Sequence, residues 1–451
     1  MKKGLMKTFS GVVSFLIFAL AISVSVSALD HQPVADYHAR RAALAKKAGG
    51  VVVYLAPLEP PDSVYAFRQD DNFYYLSGLT VPGAALLVAP AAEAQGGNPT
   101  RAYTEILFLP PHNLRLEKYT GPQLGADTPD AAKITGFDRV EDMGKLPDEV
   151  SKALTGPRPA IYTDVSTQGE TTASTQALSF LRRTNAVISF QDVKPMLASL
   201  RTVKDAGEAA LIRKAVDASV AAHRAAMQAV KPGVAEYEIS ALMDYEWGRR
   251  GCERPSYAPI VGSGHNSTVL HYSENTATMK SGEVVVIDAA AEYSMYAADI
   301  TRTLPVNGHF TPRQREIYDI VLGAQEAAMA AFQSGKSMLT GDSDASLNKV
   351  ARDYIKAHGK DLHGQTLDQY FIHGLGHYIG LNVHDAGDYK VPLGPGMAFT
   401  IEPGIYIPEE NIGVRIEDDY YVDTDGKLIK LSAALPSKAE DVEKAMRSSG
   451  Q

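Results

Sequence analysis

The hydrophobic and polar positions fall into two differently patterned regions. After an apolar run from Val12 to Val26, residues 37–48 read as a short helix stopped by Gly49 and Gly50, and Val-Val-Val-Tyr-Leu at 51–55 follows as a buried strand. Apolar runs recur at 84–88 and 106–109 and begin again at Ala160, with helical stretches between them, for instance at 176–183. That alternation predicts an α/β domain over residues 29–193. Within it, residues 67–78 set polar groups among aromatics, the pattern of an aromatic-lined core turn. Beyond Pro195 the pattern changes. Asp205 and Glu208 form a capping box ahead of an apolar face carried by Leu211, Ile212, Ala215, Val216, Ser219 and Val220. Further helices are expected at 236–249, from Pro312 behind the Thr311 cap to about Phe332, and at 344–358. Strands are expected at 257–261, 284–290, 296–304, 398–402 and 412–421. Helices grouped about antiparallel strands make residues 194–451 an α+β domain.

The first apolar run has its own meaning. Lys2, Lys3 and Lys7 precede it and Val26-Ser27-Ala28 closes it with small residues, so residues 1–28 read as a secretory signal peptide and the mature chain as 29–451. An exported, periplasmic or extracellular protein is expected, with an uncleaved anchor as the alternative. No later stretch approaches the ~20 apolar residues of a membrane helix, so no stable membrane insertion is expected after cleavage. Cys252 is the sole cysteine, which excludes an internal disulfide, and an apolar fraction of 45% must supply the stability. The formal charge of −9 becomes −12 once the three signal lysines are removed, which argues against nucleic acid as a partner.

The chemistry concentrates in residues 371–385, which hold His373, His377 and His384 of the chain's 12 histidines, separated by Gly374, Gly376 and Gly380. Each glycine costs a helix about 1 kcal/mol relative to alanine, so an irregular backbone is expected there. Such a loop either brings imidazoles to a metal or a reacting carbonyl, or is a Gly/His-rich surface segment. Carboxylates recur in a suggestive pattern. Asp288 ends one apolar run and Asp299 lies in the next. A hairpin closing symmetrically at Tyr293 and Ser294 would set them directly opposite, with Cβ atoms ~5 Å apart, so that a cation is needed between them. Glu402 sits where a strand breaks at Pro403. On the strand from Ile412, Arg415, Glu417 and Asp419 share a face that would be unremarkable if solvated. Four carboxylates and one imidazole form a mostly-oxygen site suited to Mn²⁺, Co²⁺ or Zn²⁺, with room for two ions.

The ordered set Asp288, Asp299, His377 within His-Gly-Leu-Gly-His, Glu402 within Thr-Ile-Glu-Pro-Gly and Glu417 within Arg-Ile-Glu-Asp resembles the dinuclear metallopeptidases of the pita-bread fold. Within them it is similar to the Xaa-Pro aminopeptidase and prolidase branch. Residues 255–272, ending in Leu-His271-Tyr, resemble that branch's catalytic-histidine segment, His384 stands where its second such histidine does, and residues 67–78 resemble its N-terminal domain signature. The resemblance implies an α/β N-terminal domain before a pita-bread catalytic domain that hydrolyses the bond preceding proline at the N-terminus of peptides. It implies that Asp288, Asp299, His377, Glu402 and Glu417 hold two divalent ions, with manganese expected and zinc or cobalt as alternatives. Glu402 would carry the proton from the attacking water to the proline nitrogen. His271 and His384 would orient substrate and stabilise the oxyanion, His373 would line the pocket and Arg415 would support the site. Relatives are commonly dimers or tetramers, so a homo-oligomer is expected. A prolidase restricted to Xaa-Pro dipeptides shares every one of these residues, and a non-catalytic peptide-binding module on the same fold is a second alternative. Asn382, where relatives often carry Asp, is expected to have no effect on metal binding.

Overall fold

A computed structural model describes residues 30–60, 66–90, 103–154, 160–165 and 188–447. The expected signal peptide and the helix expected at 176–183 lie outside these residues. The N-terminal region is a six-stranded sheet of β1 (Val51–Leu55), β2 (Ala85–Pro90), β3 (Tyr103–Leu109), β4 (Arg139–Asp142), β5 (Ala160–Thr163) and β6 (Ser189–Asp192), in the order β4-β3-β2-β1-β5-β6. The β1–β2 and β2–β3 pairs are antiparallel and the remaining pairs parallel. Its central strands are buried on both faces. Val52, Tyr54, Leu86 and Val88 enter one core, while Val51, Val53, Ala85 and Leu87 enter another. For this reason they read as continuous apolar runs and do not alternate.

The helix Val34–Ala48 ends, as its sequence requires, at Gly49 in the left-handed region. Residues 67–78 contain a helix, Asp71–Ser77, where a turn was expected. Asp70 caps it by accepting the Phe73 amide, and Gly78 terminates it with φ of 70°. The aromatics that suggested a core turn, Phe73, Tyr74 and Tyr75, are its buried face.

In the second region both expected capping boxes form, at Asp205/Glu208 for the helix Ala206–Ala229 and at Thr311/Gln314 for Pro312–Ala331. The fourth helix, Leu347–His358, begins three residues later than expected, because the Ser346 side chain caps it. The strands are short: β7 (Arg254–Pro255), β8 (Ile260–Ser263), β9 (Val284–Asp288), β10 (Ala291–Tyr293), β11 (Tyr296–Ala297), β12 (Thr301–Pro305), β13 (Ala398–Ile401), β14 (Gly404–Ile407), β15 (Ile412–Arg415), β16 (Asp418–Val422) and β17 (Leu428–Lys430). Two of the long strands expected from sequence are therefore interrupted, at 298–300 and 416–417, and the one expected at 284–290 stops at Asp288. The interruptions matter, because Asp288, Asp299 and Glu417 sit at them and Glu402 immediately follows β13.

The hairpin register differs from the expectation. The turn is centred on Ser294 and Met295, both at positive φ (49° and 72°), and Tyr293 pairs with Tyr296. Asp288 consequently faces Thr301, not Asp299. A two-residue shift preserves the face, so the two aspartates remain diagonal neighbours on one side.

Behind the strand breaks lies a buried ion cluster. Arg302 donates to the carbonyls of Thr301 (2.9 Å) and Glu417 (2.7 Å) and to Asp418 Oδ1 (2.7 Å), and Lys430 reaches Asp418 Oδ2 at 2.7 Å. Gln325 donates to the carbonyls of Ile401 and Ile416. These side chains fix the backbone on either side of Glu402 and Glu417. Burial alone would raise the Asp418 pKa, but Arg302 and Lys430 hold it below its ordinary value. Replacing Arg302 by Met removes one partner of a fully buried pair, and is expected to cost about 3–5 kcal/mol in denaturant unfolding. Thr311→Ala, which removes only a helix cap, should cost about 1 kcal/mol in the same measurement.

Candidate metal centre

All nine residues singled out from the sequence, Asp288, Asp299, His377, Glu402, Glu417, His271, His373, His384 and Arg415, line one cavity of about 560 Å³. Residues 371–385 contain neither helix nor regular strand, as their glycines require. A Cβ at Gly376 would collide with the Thr400 carbonyl, so only glycine lets this segment lie against β13. That contact delivers His377. Its amide lies 3.1 Å from Thr400 Oγ1, and its Nε2 lies 3.3 Å from both Asp299 Oδ2 and Glu402 Oε1. Its Nδ1 lies 3.1 Å from the Tyr378 carbonyl, a contact that places a proton on Nδ1 and leaves Nε2 free to act as a ligand.

The carboxylates converge from four strand ends. Arg415 Nη2 donates to Asp288 Oδ2 at 2.6 Å, and Thr301 Oγ1 donates to Glu417 Oε2 at 2.6 Å. The Tyr257 hydroxyl lies 2.5 Å from Asp288 Oδ1 and 2.6 Å from Asp299 Oδ1. One hydroxyl has a single proton, so the second of these contacts needs a carboxyl proton or a cation nearby. The face of Arg415, Glu417 and Asp419, which could have been a solvated one, is buried.

The electrostatics follow from this crowding. Burial, helped by Asp288 and Glu402 and opposed by His377, pushes Asp299 up to about 6. Burial together with Asp299, Glu402 and Asp288 pushes Glu417 well above the ordinary carboxylate range. Against the cost of its own burial, His377 is raised well above 6.5 by Asp299 and Glu402, and in return it lowers Glu402. His373 and His384 are both lowered, chiefly by burial. Without a cation among them, Asp299 and Glu417 keep their protons to higher pH than free carboxyl groups do.

The donor set fits divalent metal. Asp299, His377 and Glu417 each present a ligand atom within 4.8 Å of the other two, and Glu417 Oε1 is buried with no hydrogen-bond partner. An orphaned buried carboxylate oxygen is costly unless something positive meets it.

Around this centre His373 Nε2 lies 2.9 Å from the Tyr406 hydroxyl, which accepts from Arg415 Nη1 at 2.7 Å. The His384 ring meets His377 edge-on with centroids 4.3 Å apart. His384 and His271 are exposed at the mouth. Several participants were not singled out from the sequence: Tyr257, Thr301, Thr400 and Tyr406 as partners of the set, and His223 beneath it. His223 Nε2 lies 2.9 Å from the Ala289 carbonyl and 3.0 Å from that of Ile300, the residues following Asp288 and Asp299. Burial lowers its pKa to about 4, so it stays neutral and pins both backbones. Tyr257 lies in the segment noted for His271 and could have been found there. His223 carries no local signal, since a lone histidine on an apolar helix face usually only packs.

Comparison with known proteins agrees with this geometry. Residues 210–424 match metallopeptidase family M24, and residues 37–162 match the aminopeptidase P N-terminal domain. The chain is 36% identical over 405 residues to the Xaa-Pro aminopeptidase of Haemophilus influenzae, covering 85% of this chain and 90% of that protein. It is 34% identical over 442 residues to the Xaa-Pro aminopeptidase of Escherichia coli, covering 91% and 97%. Among solved structures, zinc-substituted E. coli aminopeptidase P in complex with product superposes with a TM-score of 0.80 at 31% identity, covering 94% of this chain and 100% of that one. Proline aminopeptidase P II from Yersinia pestis gives 0.78 at 32% identity, covering 92% and 99%. The chain belongs to the aminopeptidase P branch of metallopeptidase family M24.

Proposed function

We propose that this protein is a metal-dependent exopeptidase that hydrolyses the Xaa-Pro bond at the N-terminus of peptides and releases the N-terminal residue. The observation that carries the reading is the convergence of buried Asp288, Asp299 and Glu417 and half-buried His377 and Glu402 on one cavity whose mouth bears His271 and His384. In this reading the five would hold two divalent ions. When bound, such ions supply Lewis acidity and lower the pKa of water toward neutrality.

The chain's own groups do the remainder. Glu402 Oε1 is engaged by Thr400 at 3.1 Å and His377 at 3.3 Å, while Oε2 has His373 no closer than 3.9 Å. That second oxygen is free to take a proton from water and pass it to the proline nitrogen, a poor leaving group until protonated. His384 and His271 are placed to donate to the oxygen of the attacked carbonyl. His373, Tyr406 and Arg415 form one hydrogen-bonded wall beside the reacting centre and keep its shape.

Manganese as the working metal, an exported location after cleavage near Leu29, and assembly as a dimer or tetramer belong to the same proposal. The first and third are supported by the family resemblance, and the second by the Lys-rich, apolar and small-residue pattern of residues 1–28. Among the described residues, no helix is long and apolar enough to cross a membrane.

Two measurements test the reading. Purified protein, stripped of metal and repleted with Mn²⁺, is expected to release the first residue from Xaa-Pro-Yaa peptides by mass spectrometry. Cleavage of Xaa-Pro dipeptides alone would make it a prolidase, and no turnover with any divalent metal would leave only the peptide-binding alternative. For the division of roles, Asp299→Ala should lose bound metal and activity together. His384→Ala should keep its metal while kcat falls about 10²–10³-fold, the range for loss of a donor to a developing oxyanion. Metal loss in both variants, by elemental analysis, would refute those roles.

A further inference from the structure

Residues 380–385, which carry His384 to the mouth of the cavity, have little regular structure of their own. Some of their contacts run to the N-terminal region. Arg68 Nη2 donates to the Leu381 carbonyl at 2.6 Å, while the same guanidinium holds Asp71 Oδ1 at 2.7 Å and Glu292 Oε2 at 2.8 Å. Asn382 Nδ2 donates to Asp71 Oδ2 at 3.3 Å, and Asn382 Oδ1 accepts the backbone N–H of His384 at 3.1 Å. One amide therefore joins a carboxylate of the N-terminal helix to the backbone of His384. Behind it, buried Asp385 is held by Arg201 and by Lys204 at 2.7 Å, and Arg201 also donates to Asn72 Oδ1 at 2.7 Å.

The residue types are those the geometry needs. Position 382 must accept from an N–H on one side and donate to a carboxylate on the other, which an amide can do and a carboxylate cannot. Aspartate there would still cap His384, but would set its second oxygen against Asp71, like charges within hydrogen-bond distance. Gly380 completes the set, since a Cβ there would run into Asp385 and come within 3.0 Å of Lys204 Cε.

We propose that Arg68, Asp71 and Asn382 are positioning residues for the reaction: through the Asp71–Asn382 bridge and the Arg68–Leu381 contact, the N-terminal region sets the place of the His384 imidazole. The inference rests on the reading of His384 as a substrate-facing group. It gives residues 67–78 a part in catalysis, and it assigns a consequence to asparagine at 382 that metal binding does not reveal.

The test is charge repulsion and its relief. Asn382→Asp should lower kcat about tenfold with KM and bound metal little changed, within the range of coupling between contacting residues. Asp71→Ser, added to Asn382→Asp, removes the facing charge and should restore most of the lost kcat. In a His384→Ala background, Asn382→Asp should have no further effect, because the group it positions is gone. A merely structural role would lower thermal stability and give additive losses with no rescue. The crystal structure of the Asn382→Asp variant decides the matter independently of turnover on Xaa-Pro peptides. Displacement of the His384 ring from its edge-on contact with His377 supports the bridge. An unmoved ring, an unchanged kcat or additive losses would overturn it.

Discussion

Four carboxylates forced into one buried volume are the constraint on which the rest depends. At an effective dielectric of about 20, each like-charged pair ~5 Å apart repels by about 3 kcal/mol, and the repulsion accumulates over the set. Nothing in hydrophobic packing would assemble such a group, so the surrounding chain is arranged to hold it. Arg415, Thr301 and Tyr257 occupy particular oxygens, His377 is wedged between Asp299 and Glu402, and Glu417 Oε1 is left over. The pattern is that of a site completed by cations, and the raised pKa values of Asp299 and Glu417 express the positive charge the set calls for.

The fold supplies the rigidity that such repulsion demands. Each of the four carboxylates lies where a strand stops, with a buried side chain gripping the backbone beside it. His223 holds the carbonyls after Asp288 and Asp299, Arg302 holds those of Thr301 and Glu417, and Gln325 holds those of Ile401 and Ile416. Interrupting a strand leaves backbone groups to be satisfied, and here side chains from two helices and β12 satisfy them. Short strands are thus a condition of the site, because a continuous ladder would send alternate side chains to opposite faces and could not turn four carboxylates onto one point.

This explains which features were legible in the sequence. Helix caps act within a few residues, so Asp205, Thr311 and Gly49 could be read directly. The set that shares the cavity was legible because carboxylates ending apolar runs and clustered imidazoles are chemically conspicuous. The strand breaks were not, since the charged residues within 296–304 and 412–421 also fit one polar face of an unbroken strand, and the interruption is imposed by partners distant in sequence. The hairpin register failed for a local reason. A two-residue turn with both residues at positive φ ordinarily announces itself as Asn-Gly or Asp-Gly, and Ser294-Met295 does not. The error spared the site only because it was two residues and not one.

The short helix Asp71–Ser77 shows the same limit from the other side. Its caps, Asp70 and Gly78, were present in the sequence, but the aromatics between them drew the eye to packing. Its N-terminal end does what sequence alone could not indicate: with Arg68 it presents Asp71 to a loop more than 300 residues away. A carboxylate on that end has no value to the helix beyond a favourable first turn, an effect of a few tenths of a kcal/mol. Its partners give it more. Arg68 fixes one oxygen, and Asn382 and Arg201 share the other, so the charge lies between two regions that share no strand. An α/β region that only packed against the catalytic region would need apolar contact at this boundary. The core shared by Tyr75, Leu211 and Tyr296 supplies that contact, and a region that also fixes a loop needs directional groups beside it, which Arg68, Asp71 and Asn382 provide.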